Sequence, residues 1–211
     1  SPSTTGEEFP IIMISNVNLI GQGEEVTIID AEESGGVIRM ENCQNNIISD
    51  LTFTGGYIYV DPNYDPNLDG WGCICLHYSN PILKNVIIVE NHSGAGGIYM
   101  VQSNPILEYV KIINNSYALS AMDSNPMLTN VIISENNSGI AFSNSNPILM
   151  NVDIKDQIHG INFNNNSNPI LKNVKITGIT GTGSAVGAVS SHLTLINVTI
   201  ADNYDDLEIS G

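Results

Sequence analysis

Ser124-Asn125-Pro126-Met127-Leu128-Thr129-Asn130-Val131-Ile132-Ile133 is one copy of a phrase that recurs along the 211-residue chain. Its core, S-N-P-(I/M)-L, begins at Ser79, Ser103, Ser124, Ser145 and Ser167, and a degenerate copy is Ser191-His192-Leu193-Thr194-Leu195. The steps between copies are therefore 24, 21, 21, 22 and 24 residues. A period in the low twenties marks a solenoid, because one repeat is one turn of chain and cannot bury its apolar face without neighbours.

Alignment on the N-V pair extends the count to both sides. The equivalent positions are Asn16-Val17, Asp50-Leu51, Asn85-Val86, Tyr109-Val110, Asn130-Val131, Asn151-Val152, Asn173-Val174 and Asn197-Val198, which makes eight coils. Each coil holds three short strands: one ending before the S-N-P turn, one at P-x-L and one at V-x-I. Leu83, Leu107, Leu128, Leu149, Leu171 and Leu195 then point inward, with the valines of the N-V pairs and the isoleucines two residues on. A period of two with like residues stacked coil upon coil argues for strand against helix. Proline after Ser-Asn fits a turn or the first residue of a strand, where no ladder donor is needed. The expected fold is all-β, a parallel β-helix of about eight coils of 21–24 residues, with residues 1–10 as a polar leader or linker, 11–211 as a single domain and a loop insertion at 61–71.

Leu19-Ile20-Gly21-Gln22-Gly23 followed by Thr27-Ile28-Ile29-Asp30 resembles the opening turn of secreted right-handed parallel β-helix proteins of the pectate-lyase-like superfold. The S-N-P-x-L-x-N-V-x-I repeat is similar to that of bacterial cell-surface β-helix proteins, among them the polymorphic outer-membrane proteins. The resemblance runs from Ile14 onward and implies a right-handed helix. It implies no single activity, since this superfold hosts lyases, hydrolases, esterases, adhesins and inert scaffolds.

Six Lys+Arg against 22 Asp+Glu give a net charge of -16, which repels nucleic acid and anionic lipid and attracts cations. No apolar run approaches the ~20 residues of a spanning helix, and no membrane insertion is expected. The odd cysteine count, Cys43, Cys73 and Cys75, argues against a disulfide framework. Asn-rich turns and few lysines point to a secreted or cell-surface protein.

Four groups of residues are candidates for function. The insertion Asp61-Pro62-Asn63-Tyr64-Asp65-Pro66-Asn67-Leu68-Asp69-Gly70-Trp71 places oxygen donors at every second position, and Asp61, Asn63, Asp65, Asn67 and Asp69 suit calcium, which takes six to eight oxygens around a tight bend. The alternative is a Pro-rich turn whose Asp and Asn side chains cap their own backbone; the bidentate glutamate of a full calcium loop is missing, Leu76 standing at the twelfth position from Asp65. The column Asn16, Asn85, Asn130, Asn151, Asn173 and Asn197 reads as an inward amide ladder tying coil to coil, broken by Asp50 and Tyr109. Ile82, Ile106, Met127, Ile148 and Ile170 precede the inward leucines and by alternation form an outward aliphatic stripe, a contact surface for a second copy; the alternatives are that flanking turns or the neighbouring prolines cover it, or that the bend turns both residues inward. Glu90, Glu135, Asp156 and Asp202 occupy one turn position, with Asn114 and Gly178 in the other coils; a solvated edge explains them, although Glu135 and Asp156 stand about 5 Å apart by strand spacing.

No complete catalytic constellation follows. The lyase chemistry that the resemblance brings to mind needs a basic residue beside calcium-binding acids, and the single arginine, Arg39, has no such trio. Lys111, Asp153 and Lys175 align on one outward face as a surface ion ladder. His159-Gly160 is half of a hydrolase signature, and His77, His92 and His192 fall in different coils. Two readings remain: a structural or adhesive solenoid that associates with itself, end to end or laterally, or belongs to a longer surface protein, and a polysaccharide-binding or polysaccharide-degrading β-helix. If the insertion binds calcium, isothermal titration gives a saturable heat for the parent that is lost in the Asp65→Ala/Asp69→Ala variant; two flat titrations leave the loop as a self-capped turn.

Overall fold

The repeated phrase becomes two long parallel sheets. In the computed structural model, which describes residues 1–57, 73–92 and 96–210, nine strands form one sheet and fourteen form the other. In a typical coil Tyr117–Met122 lies in the first sheet, while Met127–Thr129 and Ile132–Ser134 both lie in the second. The P-x-L and V-x-I walls belong to one sheet because Ile47–Thr54 and Ile82–Val89 run through both without a break. All pairings are parallel and in register, as in Leu83↔Leu107 and Leu128↔Leu149. Eight turns result, and all the inward leucines up to Leu171 are buried, while Leu195 in the last coil is 39% exposed.

Inside, like residues stack in columns. Ala121, Phe142, Phe163 and Ala188 are consecutive members of one such column, and the two rings stack at 5.5 Å and 7° between the small alanines. Full burial of a Leu, Ile or Phe side chain contributes about 1.5–3 kcal/mol, and each coil repeats several. Where the chain enters the first sheet, successive backbones come very close: a Cβ on Gly139 would lie 1.8 Å from the Gly160 carbonyl oxygen, and one on Gly160 2.0 Å from that of Ala185. Only glycine fits at these two points.

The polar columns differ from the expectation. Asn16, Asn85, Asn130, Asn151, Asn173 and Asn197 were expected to face inward, yet Asn16, Asn151, Asn173 and Asn197 are exposed and Asn85 and Asn130 only half-buried. Each has a positive φ of 51–64°, in the left-handed region that Asn enters at least cost among side-chain-bearing residues. Asn85, Asn130, Asn151, Asn173 and Asn197 share one corner, but Asn16 does not: Ile20 pairs with Ser49, so Gly21 rather than Asn16 stands beside Asp50, and Asn16 lies at the S-N-P corner, where Asn45 Nδ2 donates to its Oδ1 at 3.0 Å. The amides bond one another along the surface: Asn151 Nδ2 donates to Asn130 Oδ1 at 3.1 Å, Asn173 to Asn151 at 3.0 Å and Asn197 to Asn173 at 2.9 Å. Asp50 belongs to the same column, and the Asn85 amide donated to it at 2.8 Å is the main influence lowering its carboxyl pKa.

Two other columns form the buried ladders. Ser79, Ser103, Ser124, Ser145 and Ser167 are fully buried; each Oγ accepts the backbone N–H of the residue one coil earlier, Ser103 N–H to Ser124 Oγ at 3.0 Å for example, and donates to a carbonyl two or three residues back. On another corner Asn91, Asn115, Asn136 and Gln157 do the same with amides: Asn115 N–H and Nδ2 both donate to Asn136 Oδ1, at 2.9 and 3.0 Å, and Asn136 Nδ2 donates to Gln157 Oε1 at 2.9 Å. Ile179 follows Gln157 in this column, has no side-chain acceptor, and leaves Gln157 Nε2 buried without a partner.

Residues 1–10 are not a bare linker. Pro2–Thr5 is a short helix, the Ser3 backbone N–H donates to Glu32 at 2.9 Å, and Phe9 packs against the core. Asn136→Leu strands the N–H of Asn115 and several carbonyls, so we expect it to cost about 3 kcal/mol from unpaired buried groups, whereas Asn151→Gly, at an exposed left-handed corner, changes stability by less than about 1 kcal/mol. Urea unfolding of both variants checks the contrast; equal losses would contradict the assignment.

Candidate functional site

The densest chemistry among the described residues lies on the outer wall of the nine-stranded sheet. Register brings Arg39, Cys75 and Tyr99 into one outward column and Glu41 and His77 into the next. Outward residues further along this wall are open, as Met122 and Ala141 are, yet Cys75 is 4% and His77 8% exposed. Arg39 pairs with Glu41 at 3.5 Å, and the rings of His77 and Tyr99 lie 6.0 Å apart and tilted. His77 Nε2 is buried without a hydrogen-bond partner. Burial of the ring lowers the His77 pKa, nearby Arg39 adds to this, and Glu41 opposes it; burial raises that of Tyr99. A neutral imidazole beside a half-buried phenol and a guanidinium is thus the electrostatic character of this patch.

Sequence reasoning missed this cluster. In the sequence His77 stands alone, because the step from Asp50 to Asn85 is 35 residues and the extra length hides which residue of one coil stands over which of the next. The usable signal was alternation: Cys75 and His77 are two apart on one strand, as Arg39 and Glu41 are.

The candidates from the sequence are distributed as follows. Asp61, Asn63, Asp65, Asn67 and Asp69, with Trp71, lie outside the described residues. Ile82, Ile106, Met127, Ile148 and Ile170 do fall in one column, extended by Ile47 at its start; Ile170 is exposed and the other four are half-buried against one another. Glu90, Asn114, Glu135, Asp156, Gly178 and Asp202 share a second left-handed corner, with φ of 52–68°, and the four acids there are exposed. Lys111, Asp153 and Lys175 share a column with Ile132 between the first two. Cys43, Cys73 and Cys75 are buried, and burial pushes the Cys73 thiol up. Among the described residues no group of three or more His, Cys, Asp or Glu could hold a metal ion, and no helix is long and apolar enough to cross a membrane.

Comparison with known proteins bears on the fold. The family model described as the right handed beta helix region matches residues 13–147. No match is found among curated proteins. Among solved structures, one that is similar is that of QnrB1, a plasmid-mediated fluoroquinolone resistance protein, at 10% identity over 89% of this chain and 90% of that chain, with a TM-score of 0.32.

The lowered pKa of His77 has a definite consequence for stability. The unfolded chain takes up the proton first, so the stability due to the neutral ring is complete above the ordinary histidine value of about 6.5 and declines as pH falls through that value toward the folded one. We expect the melting temperature to drop between pH 7 and pH 5 in the parent, and less in His77→Gln. Parallel curves for the two proteins over that range would show that the ring does not titrate with unfolding.

Proposed function

Because the chain belongs to the right-handed β-helix family, we propose that it is a structural, adhesive β-solenoid of the extracellular or cell-surface kind, which associates with further copies of itself. The observation that carries this reading is the unbroken aliphatic column Ile47, Ile82, Ile106, Met127, Ile148 and Ile170 on the outside of the fourteen-stranded sheet. Six residues at strand spacing make a ridge about 24 Å long. Another stack of strands has the same pitch, so the ridges of two copies can interdigitate along their length.

Magnitude limits the strength of the contact. A ridge of that length and about 10 Å wide covers roughly 240 Å² per copy, well short of the ~800 Å² per partner of a standard interface. Each contact is therefore weak, and adhesion depends on many copies acting together. The net charge of -16 opposes approach, so added salt strengthens the association. Sedimentation velocity at high protein concentration tests the proposal: the parent shows reversible self-association that rises with salt, and Ile106→Asp/Ile148→Asp abolishes it without lowering the melting temperature. An unchanged profile in the double variant refutes the role of the column.

A further inference from the structure

The first coil departs from the others at its corner. In coil two only Asp50 and Leu51 separate Ser49 from Thr52, but their partners Ile20 and Ile28 in coil one are separated by Gly21–Thr27. These seven residues are rooted by backbone bonds, Gly21 N–H to the Ser49 carbonyl at 2.8 Å, Gly23 N–H to that of Asp50 at 3.0 Å and Thr52 N–H to that of Thr27 at 2.8 Å. Glycine is needed at the root, since a Cβ on Gly21 would lie 2.1 Å from the Asp50 carbonyl oxygen. Beyond the root the segment lies down the outside of the sheet. The Thr52 hydroxyl donates to the Glu24 carbonyl at 2.6 Å, and Lys111 Nζ meets Glu24 Oε1 at 2.7 Å.

Lys111 is far from Glu24 in the stack. The outward column reads Ile28, Thr52, Ile87, Lys111, Ile132, Asp153 and Lys175, so the ion pair joins a residue of coil one to a residue of coil four, and from the Thr52 row, where the Glu24 carbonyl is held, it reaches two coil steps, about 10 Å along the axis. It is also the most enclosed ion pair among the described residues, with Lys111 37% and Glu24 26% exposed. Thr52 is 7% exposed, whereas Ile132 in the same column is 36% exposed.

We propose that Gly21–Thr27 is a salt-responsive strap, latched at its tip by the Lys111–Glu24 ion pair, that covers the outer wall of the early coils and uncovers it on release. Release uncovers Thr52 and joins its row to the wall that the exposed Ile132 and Lys175 continue. The backbone bonds at the root persist, so the strap swings without unfolding the coil.

Hydrogen exchange of the full chain, followed peptide by peptide, tests this. A partly exposed ion pair of this kind shifts an opening equilibrium by about two- to five-fold. Exchange of the Val26 and Thr27 N–H groups, which donate to the Gly23 carbonyl at 3.0 and 2.9 Å, is expected to quicken by that factor in Glu24→Gln, in Lys111→Met and in the parent at high salt, with the root amides of Gly21 and Gly23 and coils six to eight unaffected; Lys111→Arg restores the parental rate. Unchanged exchange in both variants would show that the backbone alone holds the strap. Equal acceleration in every coil would make the pair a general stabiliser. Either result overturns the proposal.

Discussion

Each coil of this solenoid must turn three corners, and in the regular coils a corner is made by a residue in the left-handed conformation. Among the described residues 24 non-glycine positions have a positive φ, of which 12 are Asn and 4 are Asp. An ordinary side chain there costs about 1–2 kcal/mol, and Asn and Asp lower that cost. The asparagine content of the chain is thus first a backbone requirement. Because the corners of the regular coils are made the same way, the strands between them fall into register, and the columns of leucine, valine and isoleucine follow from that register.

The corners also decide where polar groups go. A left-handed residue throws its own side chain outward, which is why the Asn130–Asn151–Asn173–Asn197 bonds lie on the surface. The next residue at another corner points in, and there Asn91, Asn115, Asn136 and Gln157 satisfy backbone groups that the core would otherwise strand. The serine of each S-N-P turn serves the third corner in the same way. A buried ladder of this kind depends on having an acceptor in every coil, and the orphaned Gln157 Nε2 marks the point where Ile179 breaks it.

Outer walls carry less constraint, and there the coils diverge. The Cys75, His77 and Tyr99 patch, the aliphatic column and the strap over Thr52 all sit on faces whose residues the core does not dictate. An uncharged buried imidazole and a cross-coil ion pair are features of single coils, in contrast with the uniform interior. Function in such a fold is carried by what the repeats leave free, and family membership speaks to the repeats alone.

Periodicity by itself determined the coil count, the strand walls and the inward columns, because side chains alternate at a period of two whatever their neighbours do. It also placed Ile106, Met127 and Ile148 in one column. What it could not decide was the direction of the corner asparagines: alternation fails where the backbone leaves the extended region, and Asn130 and Asn136 look alike until φ is known. The repeat of Asn, Asn, Asn and Gln directly after Glu90, Asn114, Glu135 and Asp156 was legible as a second column, but its burial was not. Nor could spacing reveal the His77 patch or the Lys111–Glu24 pair. Both join residues from coils of irregular length, and only the three-dimensional register shows which side chains meet.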